Sequence, residues 1–345
     1  MIPIILNTTL QKVGLIDDYV SFIWCSRYYA TGDFELVVNV DSVNSNLLQK
    51  DYYIIRETDD NVGIIENIQI TVDADENELM IVSGRFLSSI LGRRIIEKQT
   101  QLNSTVSSGI YALLTNEVIA PVNSARKIPN VVYKLYNNST RLQAQYTGDN
   151  LLEVIEKLCE TYGIGQKITL SENNEFVFEL YEGTDRSYNQ SVNPYVIFSD
   201  EYDNLVSSNY QEKRDAIVTD VLVAGEGEGT ARKTLWVSNT SNSGLKRYEA
   251  FKDQRQLSTN DGEITESEYL LQLKESGLED ITTFTSAFSG TVYFDNIEYR
   301  KDINIGDICV IENTHWGIYI NTRLIEVIES VDESGKYTVT PTFGV

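Results

Sequence analysis

Residues 20–40, VSFIWCSRYYATGDFELVVNV, fix the architecture because they predict two β-strands joined by a tight turn. In the second half of this stretch, residues 34–40, apolar side chains recur at every other position, so they share one face of a strand. The apolar and aromatic run over residues 20–27 predicts the partner strand. Gly32 lies between them and suits the turn, because glycine adopts turn conformations without steric cost.

The stretch that follows predicts more strands of the same kind. A second hairpin is predicted for residues 52–56 and 62–70 around a turn at residues 59–61, and a third strand for residues 79–82. A meander of short strands with tight polar turns predicts a barrel or a strongly curled sheet.

Between about residues 101 and 195 the apolar period changes to that of helices. The stripe over residues 149–162 predicts a helix with Asp149 as its N-cap and Gly163 at its end, and residues 107–119 predict another. Two short strand patterns follow. This segment therefore predicts a small α+β region.

From about residue 196 the strand patterns return. They are interrupted by a helix that begins at Thr265–Glu268, a capping box. We predict a mainly β fold with an α+β insertion, in which two β-barrel-like domains flank a middle domain. The predicted bounds are 1–100 for the first β domain, 101–195 for the middle and 196–345 for the second β domain, with a helical insertion near 262–280.

The charge balance limits the classes of function. The 345 residues include 28 Lys and Arg against 51 Asp and Glu, which gives a formal net charge of −23. Such an excess of acid argues against a protein that grips nucleic acid, because that binding depends on Lys and Arg contacts to phosphates. No stretch approaches the roughly 18 apolar residues of a membrane-spanning helix.

The histidine and cysteine counts limit the chemistry. His315 is the single histidine, so zinc sites built from several histidines are impossible and any nucleophile–histidine pair must use it. We expect His315 to be a packing residue. Cys25, Cys159 and Cys309 lie far apart and predict no disulfide framework, which is typical of a chain made in a reducing cytoplasm. We predict no metal and no cofactor.

A glycine-rich stretch resembles a nucleotide-binding loop, but its glycines do not have the spacing of that motif. Gly225, Gly227 and Gly229 follow an apolar strand pattern, but Thr230 stands where the third glycine of a dinucleotide-binding loop belongs. A strand pattern over residues 234–237 follows where that motif needs a helix. We therefore predict a flexible hairpin loop at this position.

The one locally basic stretch supplies the candidate contact residues. Arg85, Arg93 and Arg94 could bind phosphate or carboxylate groups, or form salt bridges between subunits. The net charge of −23 favours a protein partner over a nucleic acid. The 21 tyrosines suit either extensive protein interfaces or stacking on carbohydrate, and the sequence leaves both open.

Three stretches together resemble the tail-tip or baseplate hub family of siphophage-type bacteriophages, including the structural N-terminal region of tail-associated lysins. They are the strand pair with Trp24, Arg27 and GDFEL at 32–36; SGRFL at 83–87 continuing into LGRRII at 91–96; and IGDICV at 305–310, LIEV at 324–327 and PTFG at 341–344. Their order and spacing carry the resemblance over most of the chain.

The resemblance implies a structural role without enzymatic activity. It implies a homotrimer whose β-barrel-like domains close the tail tube around a channel, at the virion tail tip, after assembly in the cytoplasm of the bacterial host. The implied partners are the distal tail protein, the tape-measure protein and receptor-binding or other baseplate proteins. DNA is expected to pass through the channel unbound, and some of the 25 acids in residues 201–345 are expected to line it.

Two other functions stay open. One is a carbohydrate-binding, adhesin-like tail protein that uses Trp24, Trp236 and Trp316 as a sugar platform. The other is a glycosidase with a pair of catalytic carboxylates, although no acid pair stands out in the sequence.

Overall fold

The computed structural model describes residues 1–345 apart from 73–75, 214–216, 260–261, 263, 283–284, 293–296 and 345. Strands account for 41% of the chain and helices for 21%. The prediction of a mainly β fold with α+β material is therefore confirmed.

Short strands follow one another along most of the chain, with a few helices between them. The strands of the first half are β1 (Ile4–Leu6), β2 (Lys12–Leu15), β3 (Ser21–Arg27), β4 (Asp33–Asn39), β5 (Tyr53–Arg56), β6 (Asp59–Ile64), β7 (Asn67–Val72), β8 (Glu78–Arg85), β9 (Thr100–Thr105), β10 (Val131–Lys134), β11 (Arg141–Tyr146), β12 (Gly165–Leu170) and β13 (Phe176–Tyr181). Those of the second half are β14 (Ile197–Ser199), β15 (Leu205–Lys213), β16 (Asp220–Ala224), β17 (Thr234–Ser238), β18 (Glu249–Asp253), β19 (Thr285–Val292), β20 (Ile308–Asn313), β21 (Ile318–Val331) and β22 (Tyr337–Gly344). The α-helices are α1 (Ser42–Leu47), α2 (Val106–Leu114), α3 (Leu151–Tyr162) and α4 (Glu266–Leu278).

The largest sheet joins the two ends of the chain. Its strand order is β15-β19-β22-β21-β3-β4-β8-β7, with β20 paired to β21 and β14 to β20. The predicted hairpin of β3 and β4 lies within it, and β3 pairs antiparallel with β21 from Phe22↔Val331 to Arg27↔Glu326. Strands of the predicted first and third domains thus share one sheet, and the three-way division of the chain stays a prediction.

The second sheet joins the first and middle regions. Its order is β10-β13-β12-β6-β5-β1-β2, and the pair Thr169↔Asn61 connects the middle strands to the N-terminal ones. Two smaller sheets complete the β structure, β9-β11 and β17-β16-β18. None of these sheets closes on itself within the described residues, so the predicted barrel-like regions are open sheets.

The second predicted hairpin is confirmed, because β5 and β6 pair antiparallel, but its turn and its second strand differ from the prediction. The turn lies at residues 57–58, residues 59–61 are the start of β6, and the predicted strand over residues 62–70 is two strands. The break has a physical cause in the hydrogen bonds: the amide of Ile65 donates to Tyr52, whereas the next amide, that of Glu66, donates to Ser83. The single apolar run over residues 62–70 therefore contributes strands to two different sheets.

The predicted helix near 262–280 is confirmed as α4. Thr265 caps it with the full capping box, in which its hydroxyl accepts from the amide of Glu268 and its amide donates to the Glu268 carboxylate. Tyr269 and Leu273 on α4 are fully buried against the sheet of β16 and β17. This layer of one helix and three strands is a compact insertion with its own core.

The helix predicted at 149–162 is α3, but its cap differs from the prediction. Asn150, not Asp149, is the N-cap, because its Oδ1 accepts from the amides of Leu152 (3.0 Å) and Glu153 (3.4 Å). The Asp149 carboxylate instead accepts from the amide of Thr147. Gly163 ends the helix in the left-handed conformation, as predicted.

The cap can be tested by two neighbouring substitutions. Asn150→Ala should lower the free energy of unfolding by about 1 kcal/mol or somewhat more, because it removes the cap and the 2.9 Å bond from Nδ2 to the Gly92 carbonyl. Asp149→Ala is the matched control and should cost no more than about 0.5 kcal/mol. Urea unfolding of both variants measures this, and a larger loss for Asp149→Ala would contradict the assignment.

Candidate functional site

A buried cluster of four charges lies where the two ends of the chain meet. Arg56 Nη2 is 2.9 Å from Asp59 Oδ2 and 2.7 Å from Glu329 Oε2. Arg300 Nη2 contacts the same two carboxylates. The side chains of Arg56, Asp59 and Glu329 are at most 5% exposed. Each cation therefore contacts both anions, and the group links the N-terminal strands to the C-terminal ones.

Neighbouring side chains complete the hydrogen bonding of the anions. The indole of Trp24, itself fully buried, donates to Asp59 Oδ2 at 2.8 Å, and the guanidinium of Arg56 lies 4.9 Å from the Trp24 ring centroid. The hydroxyl of Tyr337 donates to Glu329 Oε1 at 2.7 Å. Burial alone would raise the pKa of Glu329, but the contacts from Arg300 and Arg56 outweigh it and lower the pKa to about 2.

A second junction holds the middle region against this sheet. The buried ring of Tyr28 lies between Gly165 and Gly306, where an added Cβ would come within 2.3 Å of the ring at either position. Its hydroxyl accepts from the amide of Gly183 at 3.3 Å, and the Arg323 guanidinium lies 5.1 Å from its centroid. Glycine is required at these positions because the backbones approach the ring so closely.

The three predicted arginines have different surroundings. Arg85 makes a two-point contact with Glu66, at 2.9 and 2.8 Å, which lowers the pKa of that carboxyl. Arg94 donates to the carbonyl of Arg126 at 2.6 Å, and burial together with the charges of Arg126 and Arg93 lowers its pKa. Arg93 is exposed. Their role as partner or inter-subunit contacts stays a prediction.

The glycine-rich segment is a hairpin loop, as predicted. It connects the antiparallel strands β16 and β17, and Gly227 and Gly229 have positive φ angles of 96° and 53°. Glu226 connects the loop to α4 and to the segment before it: its amide donates to the Tyr269 hydroxyl, and its carboxylate accepts from the amide of Thr259. The flexibility of the loop stays a prediction.

The three tryptophans do not form one platform. Trp24 is fully buried in the core, whereas Trp236 and Trp316 are each 47% exposed. The guanidinium of Arg247 lies 4.6 Å from the Trp236 ring centroid. Trp24 therefore cannot contact a sugar, and the interpretation of all three as a sugar surface is wrong.

The histidine and the cysteines offer no catalytic arrangement. His315 is exposed in the turn between β20 and β21, so the expectation that it packs in the interior is wrong. All three cysteines are unpaired and buried, and burial together with the charge of Glu326 raises the pKa of Cys25 to about 12. Such a thiol stays protonated at neutral pH and is unreactive.

Metal-binding clusters and membrane-spanning helices are both absent from the residues that the structure describes. No group of three or more His, Cys, Asp or Glu side chains in the described part of the chain could hold a metal ion. Among the same residues, no helix has the length and apolar character needed to cross a membrane.

The buried charge cluster could not be found from the sequence. Arg56 and Glu329 are 273 positions apart, and Asp59 has the local pattern of a turn residue. A charged residue within an apolar strand, as Arg56 is in β5, was the one available signal.

The fold is that of phage tail proteins over the whole chain. The 43 kDa tail protein of prophage MuSo2 from Shewanella oneidensis matches with a TM-score of 0.58 at 12% identity, covering 99% of this chain and 98% of that one. A tail protein from Neisseria meningitidis MC58 matches with 0.57 at 12% identity, covering 99% and 96%. Prophage tail protein gp18 from Listeria monocytogenes EGD-e matches with 0.56 at 11% identity, covering 100% and 94%.

The sequence itself gives the family. The model of the family described as Siphovirus ReqiPepy6 Gp37-like protein matches residues 3–345, so the chain belongs to this family. The chain combines this siphovirus family with the fold of phage tail proteins, and the resemblance found in the sequence is confirmed. No curated protein sequence matches it. Family and structural relatives fit the expectation of a protein that is not an enzyme.

The charge cluster predicts a specific acid dependence. The pKa of Glu329 is about 2 in the folded chain against an ordinary 4.5. The ionised Glu329 carboxylate therefore raises the free energy of unfolding by about 3 kcal/mol. This stabilisation is fully present above pH 4.5 and is lost as the pH falls through 2. Glu329→Gln should cost about 3–5 kcal/mol at pH 7, and its deficit relative to the natural chain should shrink between pH 5 and pH 2.

Urea unfolding at pH 7, 4 and 3 measures this difference. Glu333→Gln, at an exposed position in the next turn, is the matched control and should stay within about 0.5 kcal/mol of the natural chain. A deficit for Glu329→Gln that is small at pH 7, or that does not change with pH, would contradict the role given to the cluster.

Proposed function

We propose that this tail protein is the hub of the tail tip, a homotrimer that closes the tail tube. The observation that carries the proposal is the fold of prophage tail proteins over the whole length of a chain whose residues 3–345 match a siphovirus protein family. The hub connects the distal tail protein, the tape-measure protein and the receptor-binding or other baseplate proteins. Assembly takes place in the host cytoplasm.

The largest sheet, in which strands from both ends of the chain are neighbours, supports this proposal. A ring at the end of a tube must keep its shape while neighbouring proteins pull on it. In this chain β3 and β21 are adjacent strands of one sheet, and the buried charge cluster adds contacts across the same junction. Breaking a buried ion pair costs about 3–5 kcal/mol, so the two ends of the chain resist separation.

An open sheet edge supports association between subunits. β7 is at one end of the large sheet, and its side chains Ile70 and Val72 are 59% and 60% exposed. An edge strand with exposed apolar side chains is a template for pairing with another chain. We assign this edge to the contact between hub subunits, and Arg85, Arg93 and Arg94 to contacts with a neighbouring subunit or partner.

Native mass spectrometry tests the trimer. The 39.1 kDa chain should give a species of about 117 kDa at high protein concentration. The double variant Ile70→Asp, Val72→Asp should shift the distribution to single chains, because two charges would then face the pairing edge. Val192→Asp, at an exposed apolar position away from β7, is the matched control.

Two results would count against the trimer proposal. Single chains at every concentration, also after addition of the distal tail protein, would overturn it. Trimers that persist in the double variant would overturn the assignment of β7 to the interface.

Acidic residues between positions 201 and 345 should keep the channel from binding DNA. Exchanging the exposed Glu201, Glu228 and Glu333 together for Lys should leave particle assembly intact and slow DNA release, because Lys binds phosphate. The control exchanges Glu35, Glu57 and Glu172, which are exposed acids outside residues 201–345. DNA release from phage carrying each variant is timed after host contact. Unchanged release rates would contradict the assignment of these acids to the channel.

A further inference from the structure

The insertion formed by β16, β17, β18 and α4 has an apolar core that it does not share with the middle region. Its described core side chains all come from within the insertion, and Val221, Val223 and Val237 of the strands pack with Tyr269 and Leu273 of α4. The chain enters the insertion from β15 and leaves it toward β19, and these two strands pair with each other in the largest sheet. The insertion therefore does not need the middle region to complete its core.

The surface that the middle region presents to the insertion is polar. Helix α4 lies against β11. Leu142 and Ala144 of β11 belong to the core of the middle region, so strand alternation places Gln143 and Gln145 on the opposite face. Gln145 lines a cleft between the two parts, with α4 on its other side. The strand therefore offers amide groups rather than apolar side chains to α4.

The facing side of α4 is polar as well. Gln272, Ser276 and Glu279 lie at helical spacing and line the same cleft, whereas Tyr269 and Leu273 belong to the core of the insertion. Two parts of a chain keep a fixed arrangement when the interface between them is large and hydrophobic, and otherwise they move relative to each other. This interface has the character of the second kind.

Two tyrosine hydroxyls of the middle region hold the interface closed. Tyr146 donates to Glu279 Oε1 at 2.9 Å, and Tyr162 at the end of α3 donates to Glu275 Oε2. Burial raises the pKa of Glu275, because the closed interface keeps water away from its carboxylate. The closed arrangement thus gains two hydrogen bonds to carboxylates and loses part of their hydration.

The closed interface also buries polar atoms that have no partner. Both amide atoms of Gln145, the amide oxygen of Gln272 and the hydroxyl of Ser276 are shielded from solvent and make no hydrogen bond to the described residues. A buried polar group without a partner costs free energy. Separation of the two faces would return these four atoms to water, and this gain offsets the loss of the two tyrosine hydrogen bonds.

We propose that the insertion is a movable unit, which exchanges between this closed arrangement and an open one in which α4 has separated from β11 and α3. The two tyrosine hydrogen bonds favour the closed arrangement, and hydration of the unpaired atoms favours the open one. Because the insertion has its own core, it moves as one body and leaves the buried charge cluster intact. All of these contacts lie within one chain, so the motion does not depend on the trimeric hub.

Double electron–electron resonance between two spin labels on the full chain tests the motion. The labels are attached at Glu172→Cys, in the turn between β12 and β13, and at Leu271→Cys, on the exposed side of α4. The three natural cysteines are buried, so the chain without these two changes should take up no label. The labelled chain should give two distances, one for the closed and one for the open arrangement.

Two pairs of variants should shift the ratio of open to closed molecules in opposite directions. Tyr146→Phe and Tyr162→Phe should each raise this ratio about tenfold, because each removes a hydrogen bond to a carboxylate. Gln145→Leu and Gln272→Leu should each lower it about tenfold, because leucine has a similar size and brings no unpaired polar atom into the closed interface.

Tyr195→Phe is the matched control for the tyrosine variants. It removes a hydroxyl that donates to the Gln190 carbonyl at 3.1 Å within one loop, so the ratio of open to closed molecules should stay as in the natural chain.

Three outcomes would overturn the proposal. They are a single distance that is the same in the natural chain and in both tyrosine variants, an equal shift in Tyr195→Phe, or leucine variants that open the interface. If one tyrosine variant fails to fold, the other tyrosine variant and the two leucine variants still decide between these outcomes.

Discussion

The buried cluster of Arg56, Asp59, Arg300 and Glu329 is the constraint on which the rest of the architecture depends. Two cations and two anions share one small volume, in which Arg56, Asp59 and Glu329 are buried and Arg300 is 24% exposed, and each cation contacts both anions. Removal of any one member would leave an unbalanced buried charge, which costs far more than a surface pair. The cluster therefore favours one arrangement of the N-terminal and C-terminal strands over alternatives that separate the charges.

The same arrangement positions the middle region. Strand β3 contacts the cluster through Trp24, and Tyr28, whose ring is enclosed by Gly165 and Gly306, follows directly after the last residue of the strand. Glu156 on α3 accepts from the amide and the hydroxyl of Thr31 at 2.7 and 2.8 Å, which ties that helix to the turn after β3. The hairpin of β3 and β4 thus contacts both the middle region and the C-terminal strands. A rigid hairpin therefore fixes the positions of both.

Local structure could be predicted from the sequence. The alternation in β4, the capping box of α4 and the glycine that ends α3 each act through neighbours in the chain, so their signals are complete within a few residues. The pairing of β3 with β21, the start of a strand at residues 59–61 and the contact of Arg56 with Glu329 emerged only in the folded chain. These outcomes depend on residues far apart in the chain, whose contact gains energy only when both are buried together. A local sequence pattern therefore does not indicate which distant residue will be the partner.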